Sequence, residues 1–209
     1  MCSRMWSLPL VLSRQSSAAT VTNAYALWVD AGNVRFDGAL TVGGTAVTGI
    51  TLAAEQASTS GTSIDFTGIP AGTKRITIML SGVSSNGTSG FLIQIGDSGG
   101  IETAGYAGAV VSGGTANLYS ALGGSGFNLQ NGTGVVAAST YTGQITLSLE
   151  SSAAFRWVGS GTTVRTDTSA EVAVTGGSKA LSAELDRLRL TTINGTDAFD
   201  AGVVSISYE

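Results

Sequence analysis

The run Gly96-Asp97-Ser98-Gly99-Gly100 comes nearer to a reaction than any other part of this sequence. The same letters surround the nucleophilic serine of serine proteases, where a histidine takes the hydroxyl proton and a buried aspartate orients that histidine. This chain has no histidine. Lys74 and Lys179 could replace it as a base only within a signature that neither one carries. A small Gly/Ser turn accounts for the run more simply, and the expectation is a chain with no catalytic residues.

Other constellations are thinner still. Glu184 with Asp186, and Asp197 with Asp200, are carboxylates close in sequence on strand edges and turns, whereas glycoside cleavage needs two acids facing each other across a cleft. With no histidine, a lone cysteine and no spaced aspartate series, neither a zinc nor a calcium site is expected. No Gly-rich loop ends in the Lys-Ser/Thr of a phosphate cradle, so no cofactor is expected either. Cys2 has no partner in the chain, which fits folding in a reducing cytosol.

Recognition is left to the stretch from Gly99 to Gly134, which carries Tyr106, Asn117, Tyr119, Phe127, Asn128 and Gln130 among glycines and serines. An aromatic ring can stack on the apolar face of a sugar while amides pair with its hydroxyls, so these residues are the candidate receptor site, with polysaccharide as the ligand class. The competing reading places Tyr106, Tyr119 and Phe127 in the core or between subunits.

Composition narrows the partners. Charged residues make up 11% of the chain, the net charge is −4 and the pI is about 4.7, which argues against a nucleic-acid surface, since that needs clustered Lys and Arg. No run approaches the roughly 20 apolar residues of a membrane-spanning helix. So little charge implies a surface coated with Ser, Thr, Asn and Gly or partly covered by other subunits.

The elements that must carry these residues read as short strands. Ile76, Ile78 and Leu80 alternate with Arg75, Thr77 and Met79, as do Phe91, Ile93 and Ile95 with their neighbours, and Asn86-Gly87 between them predicts a hairpin. Ile145, Leu147 and Leu149, then Phe155 and Trp157, then Val172 and Val174, continue the period of two. Leu188 and Leu190 alternate with Arg187 and Arg189; Val204, Ile206 and Tyr208 follow, with Asn194-Gly195 turning between. Residues 51–209 are thus expected to form an all-β domain, a β-sandwich of jelly-roll-like kind.

Residues 21–50 differ. Glycines at 32, 38, 44 and 49 punctuate short β-prone pieces, a thread too thin to cover Leu27, Val29, Val34, Phe36, Leu40 and Val42 by itself. Three chains wound on one axis would cover them, so this segment is expected to be the stem of a homotrimer; a hairpin packed on the main domain is the alternative. In residues 1–20, Pro9 interrupts the apolar stretch holding Trp6, Leu8, Leu10 and Leu12. An arm docking on a partner through Trp6 is the preferred reading, with a weak secretory signal or a frayed tail as alternatives.

Three phrases carry a likeness: Leu27-Trp-Val-Asp-Ala-Gly-Asn-Val-Arg-Phe-Asp-Gly38, Ile64-Asp-Phe-Thr-Gly-Ile-Pro-Ala-Gly-Thr-Lys-Arg-Ile-Thr-Ile78, and the ending from Leu185 to Gly202. In this order they resemble tail fibre and related virion proteins of tailed bacteriophages and prophages. The resemblance implies a homotrimeric appendage, made in the host cytoplasm and placed on the virion. Its N-terminal part would join other virion proteins and its C-terminal β domain would be displayed outward. A short tail fibre or receptor-binding protein is the expected function. Alternatives are a capsid decoration or head-fibre protein and, less favoured, a surface-polysaccharide depolymerase.

Overall fold

The computed structural model describes residues 41–42, 45–46, 49–114, 118–132, 135–137, 139–167 and 170–209. Trp6, Leu8, Leu10, Leu12, Leu27, Val29, Val34, Phe36, Leu40 and Asn117 lie outside the described residues, as does the side chain of Val42. The chain divides into two compact units, 1–47 and 48–209. In the first, strand β1 (Thr41–Val42) pairs antiparallel with β2 (Thr45–Ala46).

The second unit holds two antiparallel sheets, and all the secondary structure described in it is strand. The larger sheet runs in the order β10 (Leu118–Gly123), β9 (Tyr106–Gly114), β14 (Glu171–Ala180), β13 (Arg156–Arg165), β12 (Tyr141–Ser151), β6 (Arg75–Ser85), β16 (Phe199–Tyr208) and β3 (Thr51–Leu52), with β4 (Gln56–Ala57) also beside β16. The smaller runs β11 (Phe127–Asn128), β7 (Phe91–Asp97), β15 (Leu185–Thr192) and β5 (Ser63–Thr67), with β8 (Gly100–Ile101) also beside β7.

One hydrophobic core lies between the sheets. Ile76, Ile78 and Leu80 of β6 point into it with Ile145 and Leu147 of β12 and Val204 and Ile206 of β16, while Ile64, Phe66, Leu188 and Leu190 enter from the smaller sheet. Apart from Ile64 and Phe66, these are the residues whose period of two marked them as buried. Phe91 packs edge-on against Tyr141, with ring centroids 5.5 Å apart, and also meets Phe199, so the aromatics join both sheets at one end.

The turn at Asn86-Gly87 corrects the sequence reading, whereas Asn194-Gly195 turns between β15 and β16 as expected. β6 and β16 belong to the larger sheet, β7 and β15 to the smaller, so residues 86–90 and 193–198 are arches between the layers and close no hairpin. The arches bond to each other instead. Asn86 donates its backbone N–H to the Ala198 carbonyl and accepts from the Ala198 N–H at its side-chain oxygen, each at 2.9 Å. Asp197 accepts from the Ser89 N–H at 2.9 Å and from the Asn194 side-chain amide at 2.7 Å. A Cβ on Gly87 would sit 1.9 Å from the Asp197 carboxylate, so a side chain there would push that carboxylate out of the bonds that tie the arches.

A second glycine device bends the larger sheet. The ladder between β6 and β16 shifts register between Ala201 and Val203, where Gly202 has φ +93° and Gly82 has φ +62°. A Cβ on Gly202 would lie 2.5 Å from the Gly82 carbonyl, the close backbone approach expected at a β-bulge.

Two further expectations are corrected. The stretch from Gly99 to Gly134 carries four strands, β8, β9, β10 and β11, where the sequence suggested irregular loops. In β14, Ala173 and Thr175 face inward, while Val172 and Val174 point away from the core and are 46% and 57% exposed.

Candidate functional site

The Gly-Asp-Ser-Gly-Gly run forms the turn of the β7–β8 hairpin, with Asp97 opposite Gly100. Ser98 is exposed at the tip, and its hydroxyl makes no hydrogen bond among the described residues. Asp97 is buried and committed below: one carboxylate oxygen accepts from the Gly99 N–H at 2.8 Å, the other from the Ser182 hydroxyl at 2.6 Å. The Ser182 hydroxyl, helped by the Gly99 N–H, holds the Asp97 carboxyl below its ordinary range.

The network continues inward. The Ser182 N–H donates to Glu102 at 2.8 Å, and Glu102 pairs with the buried Lys179 ammonium, which lies 5.5 Å from the centre of the Tyr106 ring. Burial alone would raise the Glu102 carboxyl, but the Lys179 ammonium and the Ser182 N–H more than offset it and hold it low. The Tyr106 hydroxyl accepts from the Ile95 N–H at 2.8 Å and donates to the Glu102 carbonyl at 2.9 Å, and burial pushes its phenol up. Groups that could have moved protons thus hold β7, β9, β14 and the 181–184 connection together.

The proposed receptor residues are not gathered on a surface. Tyr106, Phe127, Asn128 and Gln130 are all buried, with Tyr106 and Phe127 in edge-to-face contact at 5.3 Å. The Gln130 side-chain oxygen accepts from the Phe91 N–H at 3.1 Å. A sugar cannot reach these groups, which corrects their assignment: residues 106 and 127–130 sit in or against strands whose inward positions take aromatics and amides. Tyr119, 38% exposed on β10, is the described member of the set that solvent reaches readily.

The acid pairs are framework too. Glu184 accepts from the Gly72 N–H at 2.6 Å, Asp186 chelates Arg187, Asp197 joins the arches, and Asp200 accepts from the Ser84 hydroxyl. A shallow groove of about 310 Å³ crosses the smaller sheet beside Asp65, Thr103, Arg187 and Arg189, but Asp186 and Asp65 already engage both guanidinium groups. Among the described residues, no cluster of three or more Cys, Asp or Glu could hold a metal ion, and no helix is long and apolar enough to cross a membrane.

The feature that sequence reasoning missed is the outward face of the larger sheet. Register places Val111 of β9 opposite Val174 of β14 and Ser120 of β10, and Val172 of β14 opposite Val164 of β13. Leu118 and Leu122 on the edge strand are 76% and 88% exposed. From β10 to β12 the outward positions are Leu, Val, Ala, Gly, Ser, Thr and Gln, and the charges there are Arg156 and Glu150, paired with each other at one end.

Comparison with family models, curated proteins and solved structures finds no match for the chain.

A signal for this face was present in the sequence. Val172-Ala173-Val174 is apolar in both parities, so one side of β14 had to remain outside, and 158–164 carries valines on the opposite parity to Trp157. Reading valine as the inward residue concealed it.

Proposed function

We propose that this chain is a structural protein of a tailed-bacteriophage virion, a homotrimer serving as a short tail fibre that attaches the particle to the bacterial surface. Its β domain is a sandwich of jelly-roll-like kind, built without a catalytic set. The observation that carries this reading concerns the phrases resembling phage virion proteins. Residues 64–78 span β5 and the start of β6, and residues 185–202 span β15 and the start of β16. Though far apart in sequence, they meet where β15 pairs with β5, from Arg187 opposite Thr67 to Leu190 opposite Ile64. The likeness therefore falls on residues that pair with each other in the smaller sheet.

A second reading, a capsid decoration or head-fibre protein that needs no receptor, is favoured by the burial of Tyr106, Phe127, Asn128 and Gln130. Gold-labelled antibody raised against the purified chain and applied to phage particles separates the two. Label at the tail supports the fibre, and label on the capsid supports decoration. Particles that carry the protein nowhere overturn both.

A further inference from the structure

We infer that copies of this chain associate through the outward face of β10, β9, β14, β13 and β12. This inference gives the homotrimer of the proposed function its contact surface, and rests on that reading only for the number of copies.

The face suits a second copy in three ways. First, it is apolar where an isolated domain should be polar: Leu118, Leu122, Val111, Val172, Val174, Val158 and Val164 are all at least 37% exposed, and cross-strand register draws Val111 beside Val174 and Val172 beside Val164. Contiguous exposed apolar patches mark interaction sites. Leu118 and Leu122 lie on β10, which borders one side of the sheet and is itself a pairing hazard unless covered.

Second, the charge pattern fits self-association. The chain carries a net charge of −4, so two copies repel unless they meet where charge is absent. This face bears only the mutually paired Arg156 and Glu150, at one end. The smaller sheet, in contrast, turns Asp65, Arg187 and Arg189 outward. Nucleic acid would need clustered cations here, and a sugar would need aromatic platforms and amides, of which the outward positions offer Gln144 alone.

Third, the area is adequate. Five strands at about 4.8 Å spacing, six to eleven residues long at about 3.3 Å each, make a face of roughly 700 Å². Stable interfaces bury about 800 Å² per partner.

The test is sedimentation velocity on the full chain over a micromolar concentration range, comparing wild type with Leu122→Glu plus Val174→Glu. Carboxylates placed on a self-contact should weaken association by roughly 100-fold. A Val172→Thr, Val174→Thr and Val164→Thr variant keeps strand propensity while removing apolar area; it should weaken association in the same direction with unchanged far-ultraviolet circular dichroism. A wild-type trimer or dimer that both variants dissociate supports the inference, and the dimer would overturn only the homotrimer. A wild-type trimer that both variants leave intact overturns the face and leaves the homotrimer standing. A wild-type monomer throughout overturns both.

Discussion

Arg189 grips Asp65 across the β15–β5 ladder, its Nε and Nη2 donating to the two carboxylate oxygens at 2.6 and 2.7 Å. The residues are direct register partners, so the fork is laid across the ladder at the edge of the smaller sheet. It joins the two sequence blocks on which the proposed function rests. Both side chains are about a third exposed, so water weakens the attraction. A double-mutant cycle with Asp65→Ala and Arg189→Ala should give a coupling of about 0.3–1 kcal/mol in urea unfolding, smaller at high salt. No measurable coupling would mean the pair is a passenger of the ladder.

Replacing Gly202 by Ala should destabilise the chain far more than replacing Gly82, although both have positive φ. Gly82 opens on free space, and Ala there costs about 1–2 kcal/mol of backbone strain. At Gly202 the same strain is joined by a 2.5 Å clash with the Gly82 carbonyl, and a loss above about 3 kcal/mol is expected. Equal urea midpoints for the two variants would remove the close approach from the account.

Phe127→Ala should behave as a core deletion, losing about 3–5 kcal/mol, because the ring is buried against Tyr106. Tyr119→Ala should alter monomer stability by about 1 kcal/mol or less. If Phe127→Ala instead left the melting temperature in place, the ring would be free to serve a ligand.

Acid should loosen the molecule through the network beneath the β7–β8 turn. Asp97 and Glu102 titrate lower in the folded chain than in the unfolded one, Asp97 first through the Ser182 hydroxyl, Glu102 through Lys179 and Ser182 against its burial. The unfolded state then binds more protons in the acid range, so stability rises with pH up to about 4–5, where the unfolded carboxyls are ionised. It is lost as pH falls through the folded values. Ser182→Ala should flatten that acid limb while changing the neutral-pH slope little. An unaltered acid limb would show that Asp97 gains nothing from the hydroxyl.

Much of the frame was legible because alternation is local. Ile76, Ile78 and Leu80 declare a half-buried strand within a few residues, as do Leu188 and Leu190. Asn86-Gly87 misled because turn chemistry fixes that the chain reverses, not which sheet receives it; that depends on Asn86 meeting Ala198 and Gly87 meeting Asp197, contacts between segments far apart in sequence. The recognition residues misled for a related reason. Tyr106, Asn128 and Gln130 look polar and available in a Gly-rich sequence, and only the fold shows their hydrogen-bonding groups turned inward. The outward valines of β14 escaped because hydrophobicity tells that a residue seeks cover, not what provides it.

The place of β16 bears on how the molecule is made. It lies between β6 and the short strands β3 and β4, and Leu52 has its register partner at Ser207. A growing chain therefore emerges from the ribosome with residues 51–57 and one edge of β6 unfilled, and that side of the sheet closes only after residues 199–208 arrive. Pairing over such separations is slow. The seam closes only once β16 has emerged, long after β3 and β6 have been made, and every newly made copy passes through an interval with an open seam.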